Sequence, residues 1–363
     1  MTINRIFLLC VSISFTLNSC KDNPIAPPLP ADPRDFVWTV DTLDMPMNAI
    51  YSIWGSSPND VWATGPGGAP GDGLLHYDGK QWITWFRHHP QAWQVAGAAL
   101  YGFAANDIWM GGQATSDVGA GIWHWDGTKW GQYFNYNPEP GTYGFGGITN
   151  IWGSQPNDVY ACGSVSHSRN LVPQTTSSRG IVLHYDGATW KEVVKGDSGH
   201  QYGFLKIRGE QSNVYVQEER IDQQVGDSII FYQLNGRQLN RIYPNAVNNP
   251  TWGNFGVITG KLIFWMGHDV YSYEGGAFVK QFSIDNPNFN QYLYGRSMKD
   301  IFIYMIDGLA HFNGTDIRYL YTWQLGKGTQ NLNDAASFDN EVFICLFQGS
   351  PTMNMVLHGK LKQ

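Results

Sequence analysis

From Phe36 nearly to its end the chain alternates short apolar runs with polar turns, and the alternation has the two-residue period of strands. The clearest stretch reads Ile53-Trp54-Gly55, a polar turn, Asp60-Val61-Trp62-Ala63, a Gly-rich loop, Leu74-Leu75-His76-Tyr77, then Asp78-Gly79 and a run opening on Trp82. It recurs at Asp107-Ile108-Trp109 with Ile122-Trp123-His124-Trp125-Asp126-Gly127 and Trp130. A third copy holds Ile151-Trp152-Gly153, Asp158-Val159-Tyr160, Leu183-His184-Tyr185-Asp186-Gly187 and Trp190. Weaker copies open their second strand at Asn213, Lys261, Asp300 and Glu341. The steps between these marks are 47, 51, 55, 48, 39 and 41 residues, a spacing that fits four-stranded propeller blades.

Each copy predicts strands A, B, C and D, with an Asp-Gly turn between C and D that suits a two-residue hairpin with positive φ at both central positions. Small or short residues stand on the inner strands where blades converge: Ser52, Gly102, Asn150, Gly256 and Ala335. The last copy, ending near Val356-Leu357-His358, has no strand D of its own, whereas Phe36-Val37-Trp38-Thr39-Val40 matches the strand D that opens on Trp82. The expectation is an all-β fold, a seven-bladed β-propeller of four-stranded blades whose last blade is closed by the N-terminal strand. Six or eight blades are the alternatives. Closure removes the exposed edges that an open array would carry.

Composition agrees. The 363 residues include 42 Gly, 15 Trp, 19 Tyr and 19 Phe, which suits short strands and tight turns better than helices. Formal net charge is −7, so no nucleic-acid partner with its need for a basic face is expected.

The first residues read as an address. Arg5 precedes an apolar stretch from Ile6 to about Leu17, too short for a comfortable membrane span. Leu17-Asn18-Ser19-Cys20 resembles a bacterial lipobox. That resemblance implies a signal peptide over residues 1–19, lipidation of Cys20 and an anchor of several acyl chains. Lys21-Asp22 partly resembles a surface-export signal of Bacteroidetes lipoproteins, which leans toward the outer membrane and its surface. Residues 20–34 hold five prolines and predict an extended tether, with the propeller over 35–363. Cys162 and Cys345 occupy matching places in two distant repeats and are expected as buried thiols rather than a disulfide.

The pattern Asp-Val-Trp-Ala…His-Tyr-Asp-Gly-x-x-Trp resembles the repeats of bacterial extracellular and lipoprotein β-propellers of uncharacterised function. It is also similar to the Asp-box of sialidase-like propellers, which usually has one residue between Asp and Gly where this chain has none. In sialidases that box sits on the rim away from catalysis, so the resemblance implies a fold and no activity.

Five histidines (His76, His124, His184, His311 and His358) fill one repeat position and are expected as scaffold, since equivalent positions are spread around a ring. Trp62, Trp82, Trp109, Trp130 and Trp190 are expected between blades, and Asp78, Asp126 and Asp186 on turn amides. No metal and no cofactor are expected. The long connections, B–C in the first four repeats and D–A throughout, should gather on one face, where binding commonly resides. The D–A connections are expected to run Phe86–Ala99, Phe134–Gly147, Lys195–Gly203, Tyr243–Gly253, Ile284–Gln291 and Tyr321–Gln330. Candidate ligand-binding residues are His88, His89, Trp93, Tyr136, Tyr143, His200, Tyr202, Trp252, Tyr292 and Trp323, interleaved with neutral amides. Aromatic rings beside amides suit a glycan or an envelope protein. The sequence therefore reads as an envelope-anchored, monomeric binding module; the alternative is a glycoside hydrolase or lyase with its site on the same face. Glu139, Glu218, Glu219, Asp197 and Asp227 supply carboxyl groups, without a spacing that pairs any two.

Overall fold

The computed structural model describes residues 32, 34–43, 49–65, 73–89, 96–113, 119–136, 143–167, 178–196, 203–220, 228–243, 253–323, 330–349 and 352–362. The lipobox, Cys20 and most of the Pro-rich tether lie outside them.

Strand β1 (Phe36–Leu43) comes first, and a blade follows from β2 (Ser52–Ser57), β3 (Asp60–Thr64), β4 (Leu74–Tyr77) and β5 (Trp82–Thr84), then the single turn α1 (Trp85–His88). The second blade is β6 (Ala96–Ala104), β7 (Asp107–Gln113), β8 (Ala120–Trp125) and β9 (Trp130–Tyr136). The third is β10 (Tyr143–Gln155), β11 (Asp158–His167), β12 (Ser178–Tyr185) and β13 (Trp190–Lys195). The fourth is β14 (Phe204–Glu210), β15 (Asn213–Arg220), β16 (Ser228–Asn235) and β17 (Gln238–Tyr243). The fifth is β18 (Gly253–Ile258), β19 (Lys261–Met266), β20 (Asp269–Glu274) and β21 (Ala277–Ser283). The sixth is β22 (Phe289–Ser297), β23 (Asp300–Met305), β24 (Gly308–Phe312) and β25 (Ile317–Thr322). The seventh joins β26 (Gln330–Ser337), β27 (Glu341–Gly349) and β28 (Thr352–Leu361) to β1, in the order β1-β28-β27-β26. Seven antiparallel sheets of four strands stand in a ring. The fold is a seven-bladed β-propeller, closed as the sequence predicts.

Closure runs in unbroken register from Phe36↔Leu361 to Leu43↔Asn354. The outer strand of a blade runs from the short-turn face to the long-loop face, so Phe36 begins at the face of the short turns. Arg34 is fastened there to the turn of the neighbouring blade, its Nη1 3.1 Å from Asp316 Oδ1.

One polar motif repeats between β-strands B and C. His76, His124 and His184 place Nε2 2.7 Å from Asp60, Asp107 and Asp158, and His358 does the same with Glu341. His311 meets Asp300 at 2.8 Å. The aromatic residue two places after each acid lies against the ring: Trp62 on His76 at 4.1 Å and Phe343 on His358 at 3.9 Å between centroids. The histidines are thus scaffold, each packed against an aromatic and held by a carboxylate on the next strand, with His311 and His358 buried and the other three half-buried. Between blades the aromatics meet edge to face, Trp62 with Trp130 and Trp109 with Trp190, while Trp82 meets Phe343 across the closing junction. The two thiols are free and buried, and burial pushes that of Cys162 up to about 12.

The Asp-Gly turns differ from the expected hairpin. Tyr77 pairs with Trp82, so four residues make the connection, and only the glycine takes positive φ: 88° at Gly79 and 89° at Gly127. The aspartate is the reason. Asp78 Oδ1 accepts from the amides of Lys80 and Gln81, both at 2.9 Å, and this bracket stabilises a wider loop than a two-residue turn. Asn313 substitutes in the sixth blade, accepting from Thr315 and Asp316. The strands also reach further into the D–A connections than the alternation suggests, β10 beginning at Tyr143 and β22 at Phe289.

Deleting residues through Leu43 removes the partner of β28 and leaves an unpaired edge. The truncated chain is expected to lose amide protection along β28 in hydrogen exchange and to self-associate in light scattering. Protection equal to that of the full chain would show that β1 is dispensable for closure.

Candidate functional site

The seven innermost strands surround an axial cavity of about 510 Å³, lined from every blade. Its wall is built by residues of those strands, Ser52, Ala98, Thr149, Lys206, Asn254 and Tyr292 among them, together with Gln217 and Glu219 near the end of β15. Inner strands begin, and second strands end, on the face of the long connections. The cavity therefore opens on the face where the sequence places binding.

The deeper layer ties blades together. Asp334 Oδ2 accepts from Ser52 Oγ at 2.9 Å and from Ile53 N at 3.0 Å, and Ser52 Oγ in turn accepts from Leu100 N at 3.1 Å. Asn150 Oδ1 accepts from Ile207 N at 3.2 Å and from Arg208 Nη1. Inner strands of adjacent blades are too far apart to form a ladder, so short polar side chains reach across to the next backbone. Where no polar bridge crosses, glycine admits a ring: a Cβ on Gly102 would stand 2.7 Å from Trp54.

Two irregularities aim side chains at the axis. In β14 the register shifts between Phe204 and Lys206, after which Ile207 is buried in the blade while Lys206 and Arg208 line the cavity. In β22 the register shifts between Phe289 and Leu293, and Gln291 adopts φ 56°. A left-handed backbone at a non-glycine residue is strained, and here its carbonyl accepts from Trp265 Nε1. The bulge turns Asn290, Gln291 and Tyr292 to the cavity.

Electrostatics follow from enclosure. Lys206 donates to Asn254 Oδ1 at 3.1 Å, and withdrawal from water, reinforced by Arg208 and opposed by Asp334, pushes it down to about 7. Burial raises the Asp334 carboxyl against its three hydrogen bonds, and raises the hydroxyls of Tyr292 and Tyr294. Among the described residues no group of three or more His, Cys, Asp or Glu could hold a metal ion.

A shallower groove of about 280 Å³ continues from the mouth over the second and third blades. Gly97, Gly112, Gly146 and Gly147 line it, and Tyr51, Ala98 and Thr149 belong to both spaces. Tyr51 is an exposed aromatic, 48% accessible, on their common rim.

Of the residues expected to bind, Tyr292 lines the cavity. His88 and His89 are exposed at the end of α1, and His89 stacks on Trp85 at 3.8 Å. Tyr136 is buried and accepts from Arg179 Nη2 at 3.0 Å; Trp323 is buried and donates to Met305 O at 3.2 Å. Tyr143 opens β10. Trp93, His200, Tyr202 and Trp252 lie outside the described residues. Sequence reasoning missed Tyr51, Lys206, Arg208 and Asp334. A signal existed: β14 alternates Lys206 and Arg208 at places where the other repeats hold neutral residues, apart from Asp334.

No protein-family model matches the chain, and no curated protein matches it in sequence. Solved structures share its fold. One is the extracellular domain of a protein described as a hybrid two-component system of B. thetaiotaomicron, with TM-score 0.53 and 11% identity over 88% of this chain. This chain spans only 40% of that one. The β-propeller domain of Cps50 (Swd1) from Myceliophteria thermophila gives TM-score 0.51 at 6% identity, over 87% of this chain and 99% of that one. The structure of BBS1N in complex with ARL6DN gives TM-score 0.51 at 11% identity, over 91% of this chain and 97% of that one.

Lys206 yields a stability prediction with a definite sign. Between about 7 and its ordinary 10.5 the unfolded lysine holds a proton that the folded one has released. Stability therefore rises with pH across that window. Lys206→Met is expected to flatten the rise between pH 7 and 9.5 in urea denaturation. Parallel profiles for the two proteins would place Lys206 in ordinary solvent.

Proposed function

We propose that the chain is an envelope-anchored β-propeller acting as a binding module, with a glycan held over the long-loop end of its channel. The observation that carries the reading is Tyr51, exposed on the rim shared by the axial cavity and the glycine-lined groove. Such a ring offers its face to the C–H side of a sugar. The amides of Asn254, Asn290 and Gln291 offer donors and acceptors to hydroxyls, and the open groove leaves room for a chain of sugars. The lipobox ending at Cys20 and the tether to residue 34 supply the anchor, in the outer membrane and at its surface. The extracellular domain among the similar structures is in keeping with that address. An envelope protein docked on the same face, or hydrolysis or cleavage of the glycan there, are the outcomes that would replace this reading.

Thermal-shift screening of residues 34–363 against oligo- and polysaccharides, with product analysis of each sample, tests it. A shift without products is expected. Tyr51→Ala should weaken binding by about tenfold, roughly 1.4 kcal/mol, with little change in unfolding temperature. Products would make the protein an enzyme, and an unchanged affinity in the variant would remove Tyr51 from the site.

A further inference from the structure

Among the described residues Asp334, Lys206 and Arg208 make no hydrogen bond to one another, although Asp334 acts on both cations through space. Asp334 is engaged by Ser52 Oγ and Ile53 N on one oxygen, and by Ala335 N at 3.0 Å on the other. Lys206 has a single hydrogen bond, to a neutral amide oxygen. Arg208 donates through Nη1 to Asn150 Oδ1, to Ile151 O at 3.3 Å and to Ile207 O at 2.8 Å. All of these acceptors are neutral. Among the described residues neither cation takes a carboxylate partner, although both stand two residues apart on one strand and face the same space. Asp334 acts on both cations only across the cavity, so a ligand carboxylate within hydrogen-bond reach of Lys206 and Arg208 would hold their charge more directly.

We propose that Lys206 and Arg208 make the axial cavity a seat for the carboxylate of an acidic saccharide. This deepens the glycan-binding reading and rests on it. The carboxylate meets Lys206 Nζ and the guanidinium of Arg208 in charge-assisted hydrogen bonds. The adjoining ring meets Asn254, Asn290 and Tyr292, and the rest of the saccharide passes Tyr51 into the groove. A cavity of about 510 Å³ lies in the range of small-ligand sites, about 300–1,000 Å³.

Ligand and proton are then linked. The groups facing Lys206 are Arg208 on its own strand, Asn254 on β18, Asp334 on β26, Glu219 on β15, and Tyr292 and Tyr294 on β22. An incoming carboxylate restores the charge that Arg208 and enclosure discourage, so binding is coupled to proton uptake at Lys206 and weakens as pH rises above about 7.

Calorimetry with trigalacturonate, the neutral galactan trisaccharide and inorganic phosphate tests the proposal, in two buffers of different ionisation enthalpy at pH 7.5. The acidic trisaccharide should bind at least about tenfold more tightly than the neutral one and take up protons. Lys206→Met should abolish both the preference and the uptake. Lys206→Arg should keep the preference but lose the uptake, because a guanidinium stays charged throughout. Rescue by arginine separates charge recognition from a merely structural role. Equal binding of the two trisaccharides would overturn the acidic seat and leave the glycan reading standing. Failure of both would overturn both. Phosphate binding as tightly as trigalacturonate would reduce the pair to a general anion site and overturn the saccharide assignment.

Discussion

The pairing of β1 with β28 is the constraint on which the remaining architecture depends. Each blade is a sheet with two faces and two edges; the faces are buried by neighbours only if the row of sheets returns to its start. The eight register pairs from Phe36↔Leu361 to Leu43↔Asn354 make that return with main-chain hydrogen bonds, which are indifferent to side-chain identity. Once the ring is shut, Tyr77 and Trp82 of the first blade meet Phe343 of the last. The hydrophobic contact between blades becomes continuous around the axis.

A closed ring also has a hole, and the hole must be polar at some places and filled at others. Short side chains solve the first problem. Asp334, Ser52 and Asn150 each reach the backbone of the following blade, satisfying amides that no ladder could satisfy. Trp54 and its counterpart Trp152 solve the second, lying against Gly102 and Gly209 on the next inner strand. The same enclosure that makes these bridges effective lowers the affinity of Lys206 for its proton, so scaffold and chemistry share one cause.

The repeat was legible because its marks are local. Asp60, His76 and Asp78 stand at fixed offsets within one blade, and the structure joins them by bonds that span a single hairpin. The closing strand was legible for the same reason, as Phe36-Val37-Trp38 carries the signature of an outer strand. The axis was not legible in this way. Lys206 and Asp334 belong to different blades, and nothing near either residue announces that seven strand ends converge there. Aromatics were ambiguous too. Tyr136 and Trp323 read as loop residues, yet Tyr136 is anchored by Arg179 and Trp323 by Met305, because strand pairing runs beyond the apolar alternation. The aspartate bracket on the turn amides was legible, but not the four-residue width it stabilises, which depends on the amides that follow and not on the dipeptide.

The direction of β1 has a consequence for presentation. Phe36 starts its strand beside the short turns, and Arg34 is already fastened to Asp316 on that side. The cavity mouth opens at the other end of the axis. A chain held to a surface by residues preceding Arg34 would rest with its short turns toward that surface, and the propeller would hold its mouth outward like a cup on a stem. Orientation would then follow from strand polarity alone, with no contact between the disc and whatever supports it.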